Sequence, residues 1–297
     1  MKQLYNFSFF TSLICVVLLT FAFVSATAFA ATRTWDGGGG DNNWNTVANW
    51  DGDLTVPVAG DALVFSGLLK LATNNNITAG TSFLSITISA TGFTIGGAAL
   101  YLMGATAFLS NTTGSSTISL NINFWSWAPS ITTSVGTMLT VSGTINNNSS
   151  AYPLTVSSAG TTNLSGIISG VGGLIKAGAG TLTLSGANTY TGATTINAGV
   201  LSVATIGNGG VAGNLGAATN AAANLVLGGG TLQYTGITAS TDRAFTLTAT
   251  TTSSIDVTTN ILTISGAAAA TTGSLTKIGS GTLTLSGGQH LHGSDND

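Results

Sequence analysis

Residues 180–186 read Gly-Thr-Leu-Thr-Leu-Ser-Gly, and the same seven residues return unchanged at 281–287. Leu182 and Leu184 alternate with polar residues, which is the period of a β-strand with one buried face. Glycine begins and ends each copy, and glycine is the residue that most readily turns the chain. The repeated stretch therefore predicts short strands joined by tight turns. An exact internal repeat also points to an architecture built by stacking similar units.

Related short strands begin at 182, 201, 225, 245, 262 and 283, which are 19, 24, 20, 17 and 21 residues apart. One coil of a parallel β-solenoid takes about this many residues. An antiparallel sandwich is the alternative, but its strands usually recur every 8–12 residues. The spacing therefore predicts an all-β solenoid of stacked coils. The inward positions are predicted to be Leu182, Leu184, Leu283 and Leu285, and the outward positions Thr181, Thr183, Thr282 and Thr284.

Two longer segments, 173–204 and 273–293, contain the repeat, and Lys176 of the first corresponds to Lys277 of the second. The first resembles the autotransporter-associated β-strand repeat, whose pattern Leu-x-Lys-x-Gly-x-Gly-Thr-Leu-x-Leu-Ser-Gly-x-Asn-Thr-Tyr-x-Gly it meets from Leu174 onward. The second departs after Gly287, where Gln289 replaces the repeat asparagine and Leu291 the tyrosine. The resemblance implies a right-handed parallel β-helix on or outside the cell surface, without implying one activity.

Residues 1–30 are predicted to be a signal peptide. Lys2 precedes an apolar run from Phe7 to Val24, and Ala28-Phe29-Ala30 supplies a small-x-small cleavage site. An uncleaved membrane anchor is the alternative, because the apolar run is long enough to consider a span. Cys15, the only cysteine, lies within this run, so the mature chain is expected to carry neither a disulfide nor a catalytic thiol.

The rest of the chain is interpreted as one elongated domain. We assign residues 31–67 to an N-terminal cap with loops rich in Trp, Asp and Gly, 68–293 to solenoid coils, and 294–297 to a polar tail. Proteins with similar repeats are usually long and end in an outer-membrane translocator or a sorting anchor. Neither is recognisable here, so we interpret the chain as a fragment of a longer one or a truncated reading frame.

Charge is scarce, at 5% of residues against about 25% in ordinary domains. Without Lys2, nine Asp face five Lys and Arg, a net charge of −4, and there is no Glu. This composition lacks the basic stripe that nucleic-acid binding needs and the basic amphipathic helix of a membrane-surface protein. Disorder is excluded because 43% of the residues are hydrophobic.

Five acidic residues occur close together near the N-terminus: Asp36, Asp41, Asp51, Asp53 and Asp61. Paired carboxylates could cleave a polysaccharide as acid and base. Carboxylate oxygens could also bind Ca²⁺, but Gly37 to Asp41 is a single imperfect copy of a motif that works in stacked copies. The interpretation we favour is that these side chains cap turns and keep the protein soluble.

Tryptophans offer a second candidate site. Trp35, Trp44, Trp50, Trp125 and Trp127 could stack on sugar rings if exposed, or fill the solenoid core if buried. Trp125 and Trp127 are two residues apart and would share a strand face. Burial is the expectation for all five, with the first three closing the N-terminal end of the solenoid. His290 and His292 do not complete a metal site, and no nucleophile triad is recognisable.

The sequence therefore assigns no catalytic, cofactor-binding or metal-binding residue. It predicts a non-enzymatic secreted or cell-surface repeat protein of autotransporter-passenger or adhesin type. The alternative is a β-helical protein that binds or degrades polysaccharide. Expected partners are the export machinery and surface glycans or a host or neighbouring cell surface, with no nucleic acid, no cofactor and no membrane span in the mature chain.

Overall fold

The computed structural model describes residues 30–104, 108–147, 152–269 and 271–288. These residues form short strands and two single-turn 3₁₀ helices, Val47–Asn49 and Ala222–Asn224. Every pair of neighbouring strands in the described ranges is parallel, which rules out the antiparallel sandwich. The signal peptide predicted for 1–30, Cys15, His290, His292 and the tail 294–297 lie outside the described residues, apart from Ala30.

The strands stack into two long sheets. The first sheet has ten strands: Thr32–Trp35, Ala62–Phe65, Ser85–Ile88, Phe108–Asn111, Ser130–Thr133, Leu154–Ser158, Leu174–Ala177, Thr194–Ile196, Leu225–Leu227 and Thr246–Leu247. The second sheet also has ten: Ala72–Asn75, Thr94–Gly97, Ser115–Ile118, Met138–Val141, Thr161–Leu164, Thr181–Leu184, Val200–Val203, Thr231–Tyr234, Thr252–Val257 and Ser274–Ile278.

A third side completes the coils with two shorter sheets. The five-stranded sheet contains Ser82–Phe83, Leu100–Gly104, Ile122–Ser126, Ile145–Asn146 and Ile168–Ser169. The three-stranded sheet contains Ala239–Thr241, Ile261–Ile264 and Thr282–Leu285. Through most of the described chain, successive strands pass from the first sheet to the second and then to the third side. This order, with parallel pairing throughout, is a β-solenoid.

Paired residues in neighbouring coils of the second sheet are mostly 19 to 23 positions apart, as in Thr181 with Val200 and Thr231 with Ser254. Val200 pairs with Thr231 across a longer excursion of 31 positions. The six strand starts used to predict the coil length lie in the second sheet (182 and 201), the first (225 and 245) and the third side (262 and 283). The predicted coil length was close to the observed one, but the six strands do not all lie on the same side of the solenoid. The sequence pattern could not distinguish the sides, because all three share the same alternation.

The core runs along the inside of the coils and is formed by the alternate residues of each strand. Leu182 and Leu184 are fully buried, as predicted, while Thr181 and Thr183 are half-buried on the outside. The prediction that Leu283 and Leu285 are buried is wrong, since both are only partly buried against the core. Their strand is the edge of the three-stranded sheet and, within the residues that the structure describes, pairs on one side, with Ile261–Ile264.

The N-terminal segment protects the edge of the second sheet. Ala72–Asn75 is the first strand of that sheet, and the backbone N–H of Trp44 donates to the carbonyl oxygen of Asn74 at 3.0 Å. The backbone N–H of Asn74 in turn donates to the carbonyl oxygen of Asn42 at 2.8 Å. An open strand edge invites pairing with other chains, so these bonds make the segment an effective cover.

Candidate functional site

Asp61 is buried and holds the beginning of the first sheet together. It forms an ion pair with Arg33 at 3.0 Å, and its carboxylate also accepts the backbone N–H groups of Ala31 and Val58 at 3.0 Å. All these partners belong to the same region of the fold. The carboxylate is therefore committed to structure rather than presented to a substrate.

Asp41 organises the loop that follows the first strand. Its oxygens accept the backbone N–H of Asn43, the hydroxyl of Thr46 and the side-chain amide of Asn49. The hydrogen bond from the Asn43 backbone is the largest of the effects that lower the pKa of Asp41 below its usual value. A catalytic acid needs a raised pKa, so this carboxylate is suited to a loop rather than to proton donation.

The other acidic residues of this region serve turns or stand apart. Asp36 accepts the backbone N–H of Gly38, and Asp51 accepts that of Thr34. Asp53 is exposed and has a left-handed φ of 47°. Across the residues that the structure describes, no group of three His, Cys, Asp or Glu could hold a metal ion. The turn-capping interpretation thus describes the observed bonds of Asp36 and Asp41, while Asp51 binds the first strand.

Three of the tryptophans form an aromatic cluster inside the first coils. Trp35, Trp44 and Trp50 are fully buried, as predicted. The rings of Trp35 and Trp50 meet edge to face at 5.3 Å between centroids, and those of Trp44 and Trp50 at 6.0 Å. Phe65 packs beside all three. These rings supply core area and cannot stack on a ligand.

The prediction of burial is wrong for Trp125 and Trp127, which are 57% and 72% exposed. Trp125 lies in the third-side strand Ile122–Ser126, where Ile122 and Phe124 point into the core. Residues alternate between the two faces of a strand, so Trp125 is placed outside by its apolar neighbours. Trp127 follows the strand at the corner that leads to the first sheet.

Two side chains of the preceding coil, Met103 and Tyr101, lie beside Trp125. Met103 is its paired residue in the preceding coil and is partly exposed. The ring of Tyr101 lies 6.1 Å from the Trp125 ring, inclined at 53°. Trp125, Trp127, Ser126 and Gly104 line an open cavity of about 250 Å³. We call the surface formed by Tyr101, Met103, Gly104 and residues 125–127 the aromatic surface.

The aromatic surface lies in the middle of an uncharged stretch. No Asp, Glu, Lys, Arg or His occurs between Lys70 and Lys176. Neighbouring polar groups are amides and hydroxyls, such as Asn123, which pairs with Tyr101 and donates to the carbonyl oxygen of Leu100 at 3.2 Å. The surface is therefore aromatic and electrically neutral.

The repeat lysine has a structural task. Lys176 is fully buried, and its ammonium donates to the carbonyl oxygens of Ala177, Gly178 and Ala198 at 2.9, 2.6 and 3.1 Å. Ala198 belongs to the following coil, so the bond joins two coils. Burial lowers the pKa of Lys176 to about 8. The side chain thus fastens the turn that follows its strand.

The repeat asparagine and tyrosine are also internal. Asn188 accepts the backbone N–H of Ile168 at 2.8 Å and donates to the carbonyl oxygen of Asn214 at 2.8 Å. Tyr190 is buried, with its hydroxyl 2.7 Å from that of Thr194. Asn188 therefore ties the third side to adjacent coils where it has no regular strand, and Tyr190 binds the start of the next strand in its own coil.

Arg243 is a buried basic residue for which no role was predicted from the sequence. Its guanidinium donates to the backbone carbonyls of four residues in the long excursion, at 2.7 to 3.3 Å: Gly207, Asn208, Gly216 and Ala218. Five fixed donors suit a guanidinium to holding a loop in this way. In the sequence, the position of Arg243 next to Asp242, in a chain with few charged residues, was the feature that could have indicated its role.

Within the described residues, no helix is long and apolar enough to cross a membrane. This finding concerns helices only. The apolar run at the N-terminus, for which a membrane anchor was the alternative, is not among these residues.

Comparison with known proteins finds a repeat family that is similar to two segments of the chain. The passenger-associated-transport-repeat family model matches residues 174–203 and 275–290. A segment of 118 residues, 39% of the chain, is 51% identical to the adhesin BmaC autotransporter of Brucella suis biovar 1 (strain 1330). The chain covers 3% of the length of that relative. No solved structure matches. The chain is thus a β-solenoid protein in which two segments match the passenger-associated-transport-repeat model.

Proposed function

We propose that this chain is part of the passenger of a surface-exposed autotransporter adhesin. The observation that carries the proposal is the 118-residue similarity to an autotransporter adhesin. The two matched repeats and the parallel solenoid support the same assignment. Its site of action is then outside the cell, either attached to the surface or secreted, and its first partner is the export machinery.

The length of the solenoid suits a protein that displays side chains at a distance from its point of attachment. Parallel strands are about 4.8 Å apart, so a ten-stranded sheet extends about 45 Å along its axis. Each coil contacts mainly its neighbours, and each presents outward residues in columns. On the second sheet one such column is uncharged over several coils: Thr94, Thr117, Thr140, Asn163 and Thr183.

We further propose that the chain acts without catalysis. Asp36, Asp41 and Asp51 are engaged in turns and loops, and Asp61 in an ion pair. The lowered pKa of Asp41 also opposes a role as general acid. The partners we propose are surface glycans or a host or neighbouring cell surface, reached through uncharged contacts.

Surface labelling tests the location. Antibodies raised against the purified chain should label intact cells of the source organism, and brief protease treatment of intact cells should remove the label. Beads coated with the chain should adhere to target cells, while beads coated with the heat-denatured chain should not. Labelling found only after the cells are permeabilised would contradict the proposal.

An activity panel tests the non-enzymatic role. We expect neither reducing ends nor unsaturated products from neutral and acidic polysaccharides, with or without Ca²⁺. Turnover that is abolished by Asp41→Asn or Asp53→Asn would favour the polysaccharide-degrading enzyme instead. The same panel distinguishes degradation from binding, because binding leaves the polysaccharide intact.

A further inference from the structure

We propose that the aromatic surface is a binding site for a neutral saccharide chain. This inference rests on the proposed function at the cell surface and names the class of ligand that the chain binds there. Of the five tryptophans, Trp125 and Trp127 are the two that are exposed, and they line the same cavity. Large exposed rings are unusual unless they serve recognition.

The chemistry of the surface favours a sugar. An aromatic face carries partial negative charge and attracts the weakly positive C–H groups of a pyranose ring. Around the rings, a saccharide needs neutral donors and acceptors for its hydroxyl groups. Asn123, on the same strand face as Trp125, carries an amide group of this kind, which also donates to the carbonyl oxygen of Leu100.

The absence of charge excludes other classes of ligand. No Asp, Glu, Lys, Arg or His lies between Lys70 and Lys176, so a phosphate, a sulfate or an anionic headgroup finds no cation in this stretch of the chain. A basic ligand likewise finds no carboxylate there. The matching ligand is therefore uncharged.

The size of the surface favours a saccharide over a protein. An aromatic side chain buries 150–250 Å², so the two tryptophans at their observed exposures offer roughly 300 Å² together. A stable protein partner covers about 800 Å² on each side. The open cavity of about 250 Å³ suits a sugar ring better than a folded partner.

Topology suggests that the ligand is a chain rather than a single sugar. Trp127 lies at the corner between the third side and the first sheet. In the next coil the same corner carries Tyr152, which is also exposed. Coils rise by about 4.8 Å, so rings at successive corners follow the axis of the solenoid.

Tryptophan fluorescence gives a direct test on the full chain. All five tryptophans are described, and three are fully buried, so quenching by acrylamide reports on Trp125 and Trp127. The probes are cellohexaose, maltohexaose and mannohexaose, with hexagalacturonate as the anionic control. We expect at least one neutral hexasaccharide to shield the tryptophans from acrylamide, and the anionic control not to.

Calorimetric titration of variants locates the site. We expect Trp125→Ala and Trp127→Ala each to weaken binding of that hexasaccharide about tenfold or more, in line with the loss of an aromatic stacking partner. Ile237→Ala removes a more exposed apolar side chain, just before the strand Ala239–Thr241, and should leave affinity unchanged. Because all three side chains are exposed, the variants should keep the melting temperature of the wild type.

The proposal is overturned if no neutral hexasaccharide shields the tryptophans, if hexagalacturonate binds more tightly, or if the Trp125→Ala/Trp127→Ala double variant binds normally. Surface labelling of intact cells tests the proposed function independently of sugar binding. A chain that labels on intact cells but binds no sugar leaves the adhesin assignment standing. A chain that binds sugar but stays inside the cell refutes that assignment alone.

Discussion

The two copies of the repeat have the same central seven residues in different surroundings. In the first copy, Leu174–Ala177 and Thr181–Leu184 lie in the first and second sheets and are paired on both sides. In the second copy, Ser274–Ile278 and Thr282–Leu285 lie in the second sheet and the third side, each at a sheet edge. The motif therefore specifies a strand, a turn and a second strand, whichever corner of the coil they form.

Burial differs between the copies because neighbouring coils supply it. Leu184 is fully buried, while Leu285 is partly exposed. Lys176 binds three carbonyl oxygens, one of them from the following coil. Within the described residues, Lys277 donates to two carbonyl oxygens of its own turn, those of Ile278 and Gly279, and it is exposed. The local sequence determines the turn, and packing against neighbouring coils determines how strongly the copy is stabilised.

The largest difference between the copies is expected for a charge in the core. Leu184→Asp places a carboxylate between stacked coils and should lower the free energy of unfolding by at least about 4 kcal/mol. Leu285→Asp, where water reaches the side chain, should cost only about 1–2 kcal/mol. Urea denaturation of both variants measures the difference. Equal losses would mean that the second copy is as enclosed as the first.

The repeat lysines should differ next. Lys176→Met removes the donor from three carbonyl oxygens while keeping the length of the side chain, and should cost about 1–3 kcal/mol at pH 7. Lys277→Met, at an exposed turn, should change stability by less than about 0.5 kcal/mol. The urea midpoints of the two variants provide the comparison. A greater loss of stability from Lys277→Met than from Lys176→Met would mean that Lys277, and not Lys176, is the lysine that joins neighbouring coils.

Stability should depend on pH through Lys176. Its pKa is about 8 in the folded protein against 10.5 when unperturbed, so above pH 8 the unfolded chain retains a proton that the folded chain has released. Stability attributable to this group therefore rises with pH from about 8, and the cost of the buried charge is fully present below that. Burial raises the pKa of Tyr190 to about 12 from 10.0, so stability falls again above pH 10.

The measurement is the urea midpoint between pH 7.5 and 9.5 for the wild type and the two lysine variants. The rise with pH should disappear in Lys176→Met and persist in Lys277→Met. A rise that survives in Lys176→Met would assign the titration to another group.

The smallest effect is expected where the copies agree. Thr183 and Thr284 both lie on the outer side of their strands. Thr183→Asp and Thr284→Asp should each change the free energy of unfolding by no more than about 0.5 kcal/mol. Melting curves are sufficient for this comparison. A loss for Thr183→Asp that approaches the loss for Leu184→Asp would show that inner and outer faces are misassigned.

Much of the fold was accessible from the sequence because burial alternates along each strand. The leucines of 180–186 and the coil length of about 20 residues both follow from that alternation. The side of the solenoid on which a strand lies was not accessible, since all three sides use the same pattern. Burial at the second copy depends on the next coil, and a local motif contains no information about its neighbours.

The candidate site was only partly accessible. Trp125 was expected in the core because large aromatic residues usually are, yet Ile122 and Phe124 occupy the inward positions of the same strand. The alternation that predicted the leucines correctly would have placed Trp125 outside. Trp127 follows the end of the strand, where alternation no longer applies, so its exposure depends on the path of the corner.

Stacking coil upon coil also determines how the protein responds to force. Neighbouring coils are joined by ladders of backbone hydrogen bonds, and each coil is held mainly by the coil next to it. Tension applied to one end therefore loads the terminal coil first and peels coils away in succession. Thr231 and Ser254 are paired across one coil of 23 residues, which releases about 75 Å of extended chain when it unravels. We expect such a tether to lengthen in steps and dissipate a pull before the attachment at its far end is broken.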